Sequence, residues 1–390
     1  MKTKTFSLTK IAVATLCLAG AAVAVQAQET AAKTTLDMNL RYESVDQDNA
    51  LKDADALTLR TRLTYQTASA NGFSAVVGFE DVRNVVGMDD YNNAAGKNGG
   101  VYSVIADPEV TELDQGYVQY KKDKFTAKVG RQVLTLDGHR YVGHVGWRQD
   151  RQTFDAATFT YAASDKLNAS YSYVTKRNRI FAEAKDFDSS DHLLNVSYKT
   201  SVGKLVGYSY LLDQDGGAEI DTYGVSLTGK KDKLAYAVEY ATQENGDYDA
   251  DYFKIEGGYS FDKVTAKLGY EVLGSDDGMY GFSTPLATLH KFNGWSDQFL
   301  GTPAQGLVDV YASLAGKAFG GKWTVAYHDF SADEDSATID DLGSEIDVVY
   351  GKKFAKNYSA GVKLAMYSAG DAAAGKVDTD KIWIWVGAKF

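Results

Sequence analysis

Cysteine and proline are nearly absent from this 390-residue sequence. It contains one cysteine, Cys17, and three prolines, against 37 glycines and 26 tyrosines. Cys17 precedes the predicted mature chain, which therefore forms no disulfide and must be stabilised by backbone pairing and packing. Few prolines with many glycines and tyrosines are typical of long strands, tight turns and aromatic girdles.

Long apolar runs are missing after residue 27, and this excludes α-helical membrane spans, which need about eighteen such residues. The run over 11–25 is uncharged, follows Lys2, Lys4 and Lys10, and ends in small residues around Ala27. This pattern predicts a cleavable signal peptide over 1–27. An uncleaved anchor is the alternative, but the run is short for one. We expect an exported mature chain of 390 − 27 = 363 residues.

Positive charge is also scarce, with 41 basic and 52 acidic side chains and a net charge of −11. Removing the three leader lysines gives about −11 − 3 = −14, which disfavours a general nucleic-acid partner. No P-loop, Rossmann glycine pattern or Cys/His metal cluster occurs, so we expect no cofactor and no metal. The five histidines form no motif with serine and an acid, and we expect no enzyme.

Alternation of apolar and polar residues is what the sequence has in abundance. It begins at Thr34–Val45 and continues through Leu57–Thr67, and Asn71-Gly72 then marks a hairpin turn. Eighteen candidate strands follow this pattern: 34–45, 56–67, 72–83, 110–121, 124–133, 153–162, 166–176, 190–200, 203–213, 219–230, 233–243, 250–261, 264–273, 306–317, 321–331, 344–353, 357–368 and 378–390.

The connections between these strands alternate in length. Turns of two or three residues are interleaved with long connections at 84–109, 134–152 and 274–305. An even strand count, with short turns at one end and long loops at the other, predicts an all-β, antiparallel up-and-down transmembrane barrel over 28–390. The last strand has one apolar face and ends on Phe390, as a closing barrel strand does. A soluble sandwich is the alternative.

Alternation also assigns side chains to the two faces. Apolar residues face lipid and polar residues face the interior, and eighteen strands enclose more space than side chains fill, so we expect a water-filled pore. Basic residues on a pore wall favour anions. The candidate pore-lining and substrate residues are Arg41, Arg60, Arg62, Arg83, Lys128, Arg131, Arg140, Arg148, Arg151, His290, Lys291 and Trp295.

Two points about these candidates stay open. Inward-facing acids, among them Asp37, Glu43, Glu80 and Glu271, could pair with the basic residues and neutralise the lumen. Arg131 falls on the lipid face by strict alternation, so we expect a bulge near Gly130 or a position above the membrane.

The two longest late connections, 134–152 and 274–305, are rich in Gly, Trp, His and basic residues. Loops of this length usually have a function, and we expect them to fold inward and narrow the channel, with His139, His144 and His290 among the constriction candidates. Capping the outer rim is the alternative. Acidic clusters in other loops, such as Asp333-Glu334-Asp335, could bind divalent cations between lipopolysaccharides or could simply be solvated.

A set of short motifs is spread over most of the mature chain: Gly130-Arg131-Gln132, Arg140, Gly143, Trp147-Arg148, Thr153-Phe154-Asp155-Ala156, the run Thr284–Asp297 (TPLATLHKFNGWSD), Phe299-Leu300, Pro303, Gly306 and Asp309. In these motifs the sequence resembles the alginate-export family of outer-membrane porins. The resemblance implies an eighteen-stranded barrel with an electropositive lumen that passes an anionic polysaccharide or smaller acidic solutes.

We therefore expect a porin for passive diffusion of small hydrophilic solutes, anionic or sugar-acid in character, in the outer membrane of a Gram-negative cell. An alginate-like polysaccharide export channel is the alternative, and a barrel enzyme or an adhesin ranks below it. Expected partners are these solutes, outer-membrane lipid and lipopolysaccharide, and the barrel-assembly machinery, which would recognise the last strand and Phe390.

Overall fold

The computed structural model describes residues 31–390, and the predicted signal peptide over 1–27 lies outside this range. Eighteen antiparallel strands form one sheet whose first and last strands pair, which closes it into a barrel. The strands are β1 Lys33–Gln47, β2 Ala54–Gln66, β3 Phe73–Asp90, β4 Val110–Lys122, β5 Phe125–Gln132, β6 Thr153–Ala162, β7 Leu167–Asn178, β8 Phe187–Lys199, β9 Lys204–Asp213, β10 Glu219–Lys231, β11 Leu234–Asn245, β12 Tyr248–Ser260, β13 Val264–Leu273, β16 Leu307–Ala318, β17 Gly321–Ser331, β18 Asp341–Phe354, β19 Tyr358–Ser368 and β20 Thr379–Lys389.

Two further short strands, β14 Ser275–Asp276 and β15 Tyr280–Gly281, form a small hairpin in the connection between β13 and β16. Three short 3₁₀ helices lie in the connections, at Glu183–Lys185, Leu289–Lys291 and Ala372–Ala374. Among residues 31–390, no helix is both long and apolar enough to cross a membrane. The predicted barrel of eighteen antiparallel strands is confirmed.

Short turns gather at one rim and long connections at the other. The turn between β2 and β3 shows the local cause: Asn71 and Gly72 have φ of 51° and 86°, and two positive φ values are what a two-residue hairpin needs. A side chain at Gly72 would bring its Cβ to 2.7 Å from the carbonyl oxygen of Lys121. On the opposite rim, β3 continues to Asp90, so the connection predicted over 84–109 begins at residue 91.

The barrel closes through the end of the chain. The backbone N–H of Phe390 donates to the Leu36 carbonyl at 2.9 Å, and the N–H of Leu36 donates to the Phe390 carbonyl at 3.1 Å. Ile384 and Val386 of β20 are exposed on the outer face, whereas Trp383 is fully buried on the inner face. Closure gives the backbone N–H and C=O groups of the first and last strands hydrogen-bond partners, which the hydrocarbon of a membrane could not provide.

The outer wall is apolar, as a lipid-facing surface must be. Exposed outward residues include Leu63, Val118, Leu268, Leu314 and Val386. The largest cluster of buried apolar side chains lies inside the barrel instead, where residues of the long connections, such as Val142, Phe282 and Leu286, pack against wall residues such as Tyr210 and Tyr252. The interior is therefore partly filled by protein.

Candidate functional site

Two long connections fold into the barrel and pack against each other. We call residues 133–152 loop A and residues 274–306 loop B. Val142 and Leu286 form a parallel bridge between them, the Gly143 N–H donates to the Leu286 carbonyl at 2.8 Å, and the Thr288 N–H donates to the His139 carbonyl at 3.0 Å. The two loops thus form one inserted unit.

Buried ion pairs and hydrogen bonds fasten the inserted unit to β1, β2 and β20. Arg148 of loop A places Nη1 3.0 Å from both carboxylate oxygens of Glu43 on β1, and Nη2 2.8 Å from Asp297 of loop B. Lys381 of β20 lies 3.2 Å from the same Asp297 carboxylate. Gln149 donates to the hydroxyl of Thr58 on β2 at 2.9 Å. These side chains are all buried.

His290 of loop B occupies the centre of this contact. Its Nδ1 lies 2.6 Å from Asp297, and its Nε2 lies 2.6 Å from the ammonium of Lys363 on β19. Burial lowers the pKa of His290 to about 3, so the ring is neutral, donates from Nδ1 and accepts at Nε2. The Lys363 ammonium also lies 4.2 Å and 3.9 Å from the ring centroids of Trp147 and Trp295. These contacts pack loop B against β19, so we assign His290 a structural role.

The basic track predicted along β1 and β2 lies beneath the inserted unit. Arg41 contacts Asp107 and the Trp147 carbonyl, Arg60 contacts Asp37, and Arg62 contacts Glu80. Arg41 is 3% exposed, and the other two guanidinium side chains are 11% exposed. The arginines of this wall are therefore paired with inward-facing acids, which is the alternative that the sequence left open.

Arg83 and Arg131 do not line the lumen, contrary to the expectation from the sequence. By alternation, Arg83 shares the outer face of β3 with Phe79 and pairs there with Asp81 at 2.7 Å. Arg131 shares the outer face of β5 with Val129, next to the end of the strand, and pairs with Asp155 of β6 at 2.8 Å. β5 keeps an unbroken register with both neighbours, so the bulge expected near Gly130 is not what places Arg131.

The remaining candidates divide between structural and accessible positions. Arg140 is buried and donates to Glu271 at 2.8 Å, and Arg151 forms two 2.6 Å hydrogen bonds with Asp114. Lys128 faces inward, with its ammonium 5.1 Å from the Tyr117 ring centroid. Lys291 and Trp295 line an open cavity together with one face of Arg140.

This cavity, about 610 Å³ in volume, is an open space inside the barrel. Its wall is built by β9–β13, β16 and β17, and loops A and B form its inner boundary. It therefore lies away from the contacts with Glu43, Thr58 and Lys381, and the Arg140–Glu271 pair joins loop A to β13 beside it. A solute that crosses this barrel would follow the β9–β17 side.

Three lysines converge on this cavity. Lys254 and Lys267 project from β12 and β13, and Lys291 comes from loop B, where its ammonium donates to the Gly138 carbonyl at 2.7 Å. Glu256 lies 3.0 Å from Lys267 and 3.8 Å from Lys254. Burial, and then the charges of Lys254 and Lys267, lower the pKa of Lys291. The three ammonium groups are thus close enough to affect one another.

Formal charge does not decide the character of the cavity, because five basic and five acidic side chains line it. They are Arg140, Lys204, Lys254, Lys267 and Lys291, and Asp137, Glu239, Glu256, Glu271 and Asp309. Exposure separates the two signs: Lys267 is 41% exposed against 20% for Glu256, and Lys204 is 44% exposed against 27% for Asp137, whereas Lys254 is 18% exposed. The accessible charge is therefore mostly positive, which favours anions near the wall.

Lys204, Lys254 and Lys267 line the cavity, but none of them is among the pore-lining residues that we expected from the sequence. The alternation of apolar and polar residues places all three on the inner face of their strands. It does not indicate which inward-facing residues the loops cover and which remain exposed.

The sequence matches the family model described as alginate export over residues 31–272, more than half of the chain. Among solved structures, OccAB4 of Acinetobacter baumannii is 15% identical, with 93% of this chain and 99% of that chain covered and a TM-score of 0.71. OccK9 (OpdG) of Pseudomonas aeruginosa is 14% identical, with 92% and 98% covered and a TM-score of 0.75. At this identity the similarity concerns the fold. No curated protein matches the sequence.

Proposed function

The chain belongs to the alginate export family, and from that premise we propose that it is an outer-membrane porin for small anionic or sugar-acid solutes. The observation that carries this proposal is the pair of exposed lysines Lys267 and Lys291 at the cavity, with the less exposed Lys254 beside them. The exposed ammonium groups raise the local anion concentration, and the rings of Tyr141, Tyr311 and Trp295 supply apolar surface for a pyranose.

The test is the reversal potential of single channels in a planar bilayer under a salt gradient. We expect wild type to prefer anions and K267Q/K291Q to lose most of that preference. A unit charge about 4 Å from an ion in water contributes about 1 kcal/mol, about fivefold in a permeability ratio. The control is K122Q/K231Q, which removes two lysines from the outer face at the short-turn rim.

A cation-selective wild type, or a selectivity identical in K267Q/K291Q and wild type, would overturn the anion preference. Failure to conduct at any voltage would overturn the channel itself and favour a closed barrel such as an adhesin.

An alginate-like export channel is the second candidate, favoured by the family to which the chain belongs. Loops A and B fill part of the lumen, so a polymer would have to pass through the space that remains, such as the cavity. Liposomes that contain the protein separate the two candidates. We expect a monouronate to equilibrate and a long polyuronate to be retained; release of the polymer would support export.

A further inference from the structure

Three carboxylates meet where loop A contacts the β3–β4 wall. Glu80 of β3, Glu112 of β4 and Asp150 of loop A each place a carboxylate oxygen within 4.8 Å of the others. Glu80 and Glu112 are directly opposite in the strand register, and like charges in that position destabilise a sheet. Something must offset their repulsion.

Two of these carboxylates are buried with oxygens that lack a hydrogen-bond donor. Glu80 is 1% and Asp150 is 0% exposed. Across residues 31–390, Oε1 of Glu80 and Oδ1 of Asp150 have no hydrogen-bond partner, and Oδ2 of Asp150 has only a long contact, 3.4 Å, from the Ala182 N–H. Leaving buried carboxylate oxygens unsatisfied is costly, so these atoms indicate a missing positively charged ligand.

The charges around the cluster point to the same conclusion. Arg62 contacts Glu80 and lies 3.6 Å from Asp114, which Arg151 binds at 2.6 Å. Among these contacting groups, four carboxylates face two guanidinium groups, and four negative charges against two positive leave a formal −2. The members are Glu80, Glu112, Asp114 and Asp150, with Arg62 and Arg151. Arg60, Arg131 and Asp186 lie further out, and each is paired with another residue: Asp37, Asp155 and Lys176 respectively.

We propose that Glu80, Glu112 and Asp150 bind one divalent cation of the Ca²⁺ class, which fastens loop A to the β3–β4 wall. The donors are all oxygens, as hard cations prefer. Each of the three carboxylates offers one oxygen within 4.8 Å of the others, and water can supply the remaining ligands of an ion that takes six to eight. A charge of +2 balances the group. The site lies outside the lining of the solute cavity, so this inference goes beyond the proposed transport function.

A proton is the competing occupant. Burial, with the charges of Glu112 and Glu80, raises the pKa of Asp150 well above its usual range, so the carboxyl can be protonated when no cation is bound. The cation and the proton are then alternatives at one place, and an experiment must separate them.

The test uses the full mature chain, refolded without lipopolysaccharide because lipopolysaccharide itself binds divalent cations. Binding is followed at neutral pH by Tb³⁺ luminescence with Ca²⁺ competition, and by the melting temperature in CaCl₂ against EDTA. We expect one saturable site in wild type and at least about tenfold weaker binding in E112Q/D150N. The control D247N/D249N removes two exposed acids of the long-loop rim and should bind as wild type does.

The amide variant E112Q/D150N should also change stability in a way that would not be expected if the carboxylates only formed hydrogen bonds within the protein. In EDTA, E112Q/D150N should melt above wild type because the repulsion is removed, and Ca²⁺ should no longer raise its melting temperature. The single variant E112Q, at the half-exposed position, serves if the double variant does not fold. Equal Tb³⁺ binding in wild type and variant, or a wild-type melting temperature identical in CaCl₂ and EDTA, would overturn the proposal. A proton shared by the carboxylates would then be the occupant of the cluster.

Discussion

Arg60 and Lys267 both project into the barrel from the inner face of a strand, but they lie in different environments. Arg60 is 11% exposed and contacts Asp37 of β1, whereas Lys267 is 41% exposed at the open cavity. We call the wall of β1, β2, β19 and β20 the locked side, and the wall of β9–β13, β16 and β17, which borders the cavity, the open side. A basic residue on the locked side stabilises the inserted unit, and one on the open side can meet a solute.

Breaking the ion pairs of the locked side should have the largest effect. R148A leaves the buried carboxylates of Glu43 and Asp297 without their shared guanidinium, and removing one partner of a buried pair costs about 3–5 kcal/mol. We expect that loss in the free energy of unfolding, measured by tryptophan fluorescence in denaturant with the barrel in lipid, and a noisier, larger conductance.

The matched control for Arg148 is K97A. Lys97 forms a partly exposed pair with Asp89 in the rim connection, and such pairs contribute about 0–1 kcal/mol. Equal stability of R148A and wild type would show that the locked side is not held by this contact.

Selectivity should separate the two sides next. K267Q removes an accessible charge and should lower the anion preference by about two- to fivefold. R60Q removes a covered charge that Asp37 already balances, and should change the reversal potential by less than K267Q does. A larger shift for R60Q would mean that solutes pass along the locked side.

The smallest expected effect is a pH dependence on the open side. Since burial and the charges of Lys254 and Lys267 lower the pKa of Lys291, its ammonium loses its proton at lower pH than an ordinary lysine, whose pKa is about 10.4. Anion preference should therefore fall as pH rises from neutral towards this value. K291R, which stays charged, should keep more of it; identical pH profiles would exclude Lys291 as the titrating group.

The strand pattern was predictable because its cause is local. Lipid outside and water or packed polar groups inside impose a period of two on each strand, so Leu268 and Val386 could be assigned outward from the sequence. The Asn71-Gly72 turn was equally local, because two residues determine its backbone geometry.

The candidate site was only partly predictable. Lys291 and Trp295 do line the open cavity, but Arg41, Arg60 and Arg148 are ion-paired on the locked side, and Arg83 and Arg131 lie on the outer face. Alternation assigns a side chain to a face and carries no information on what covers that face.

The sequence by itself determined the barrel: the number of strands, the two faces, the sorted turns and the closing strand that ends at Phe390, because each depends on neighbours along the chain or one hairpin away. Only the tertiary structure decided where loops A and B dock. That choice depends on partners such as Arg148 and Glu43, 105 residues apart, and on Glu80, Glu112 and Asp150, which come from three separate segments. Contacts at such separations follow from the closed shape of the barrel, which no local pattern encodes.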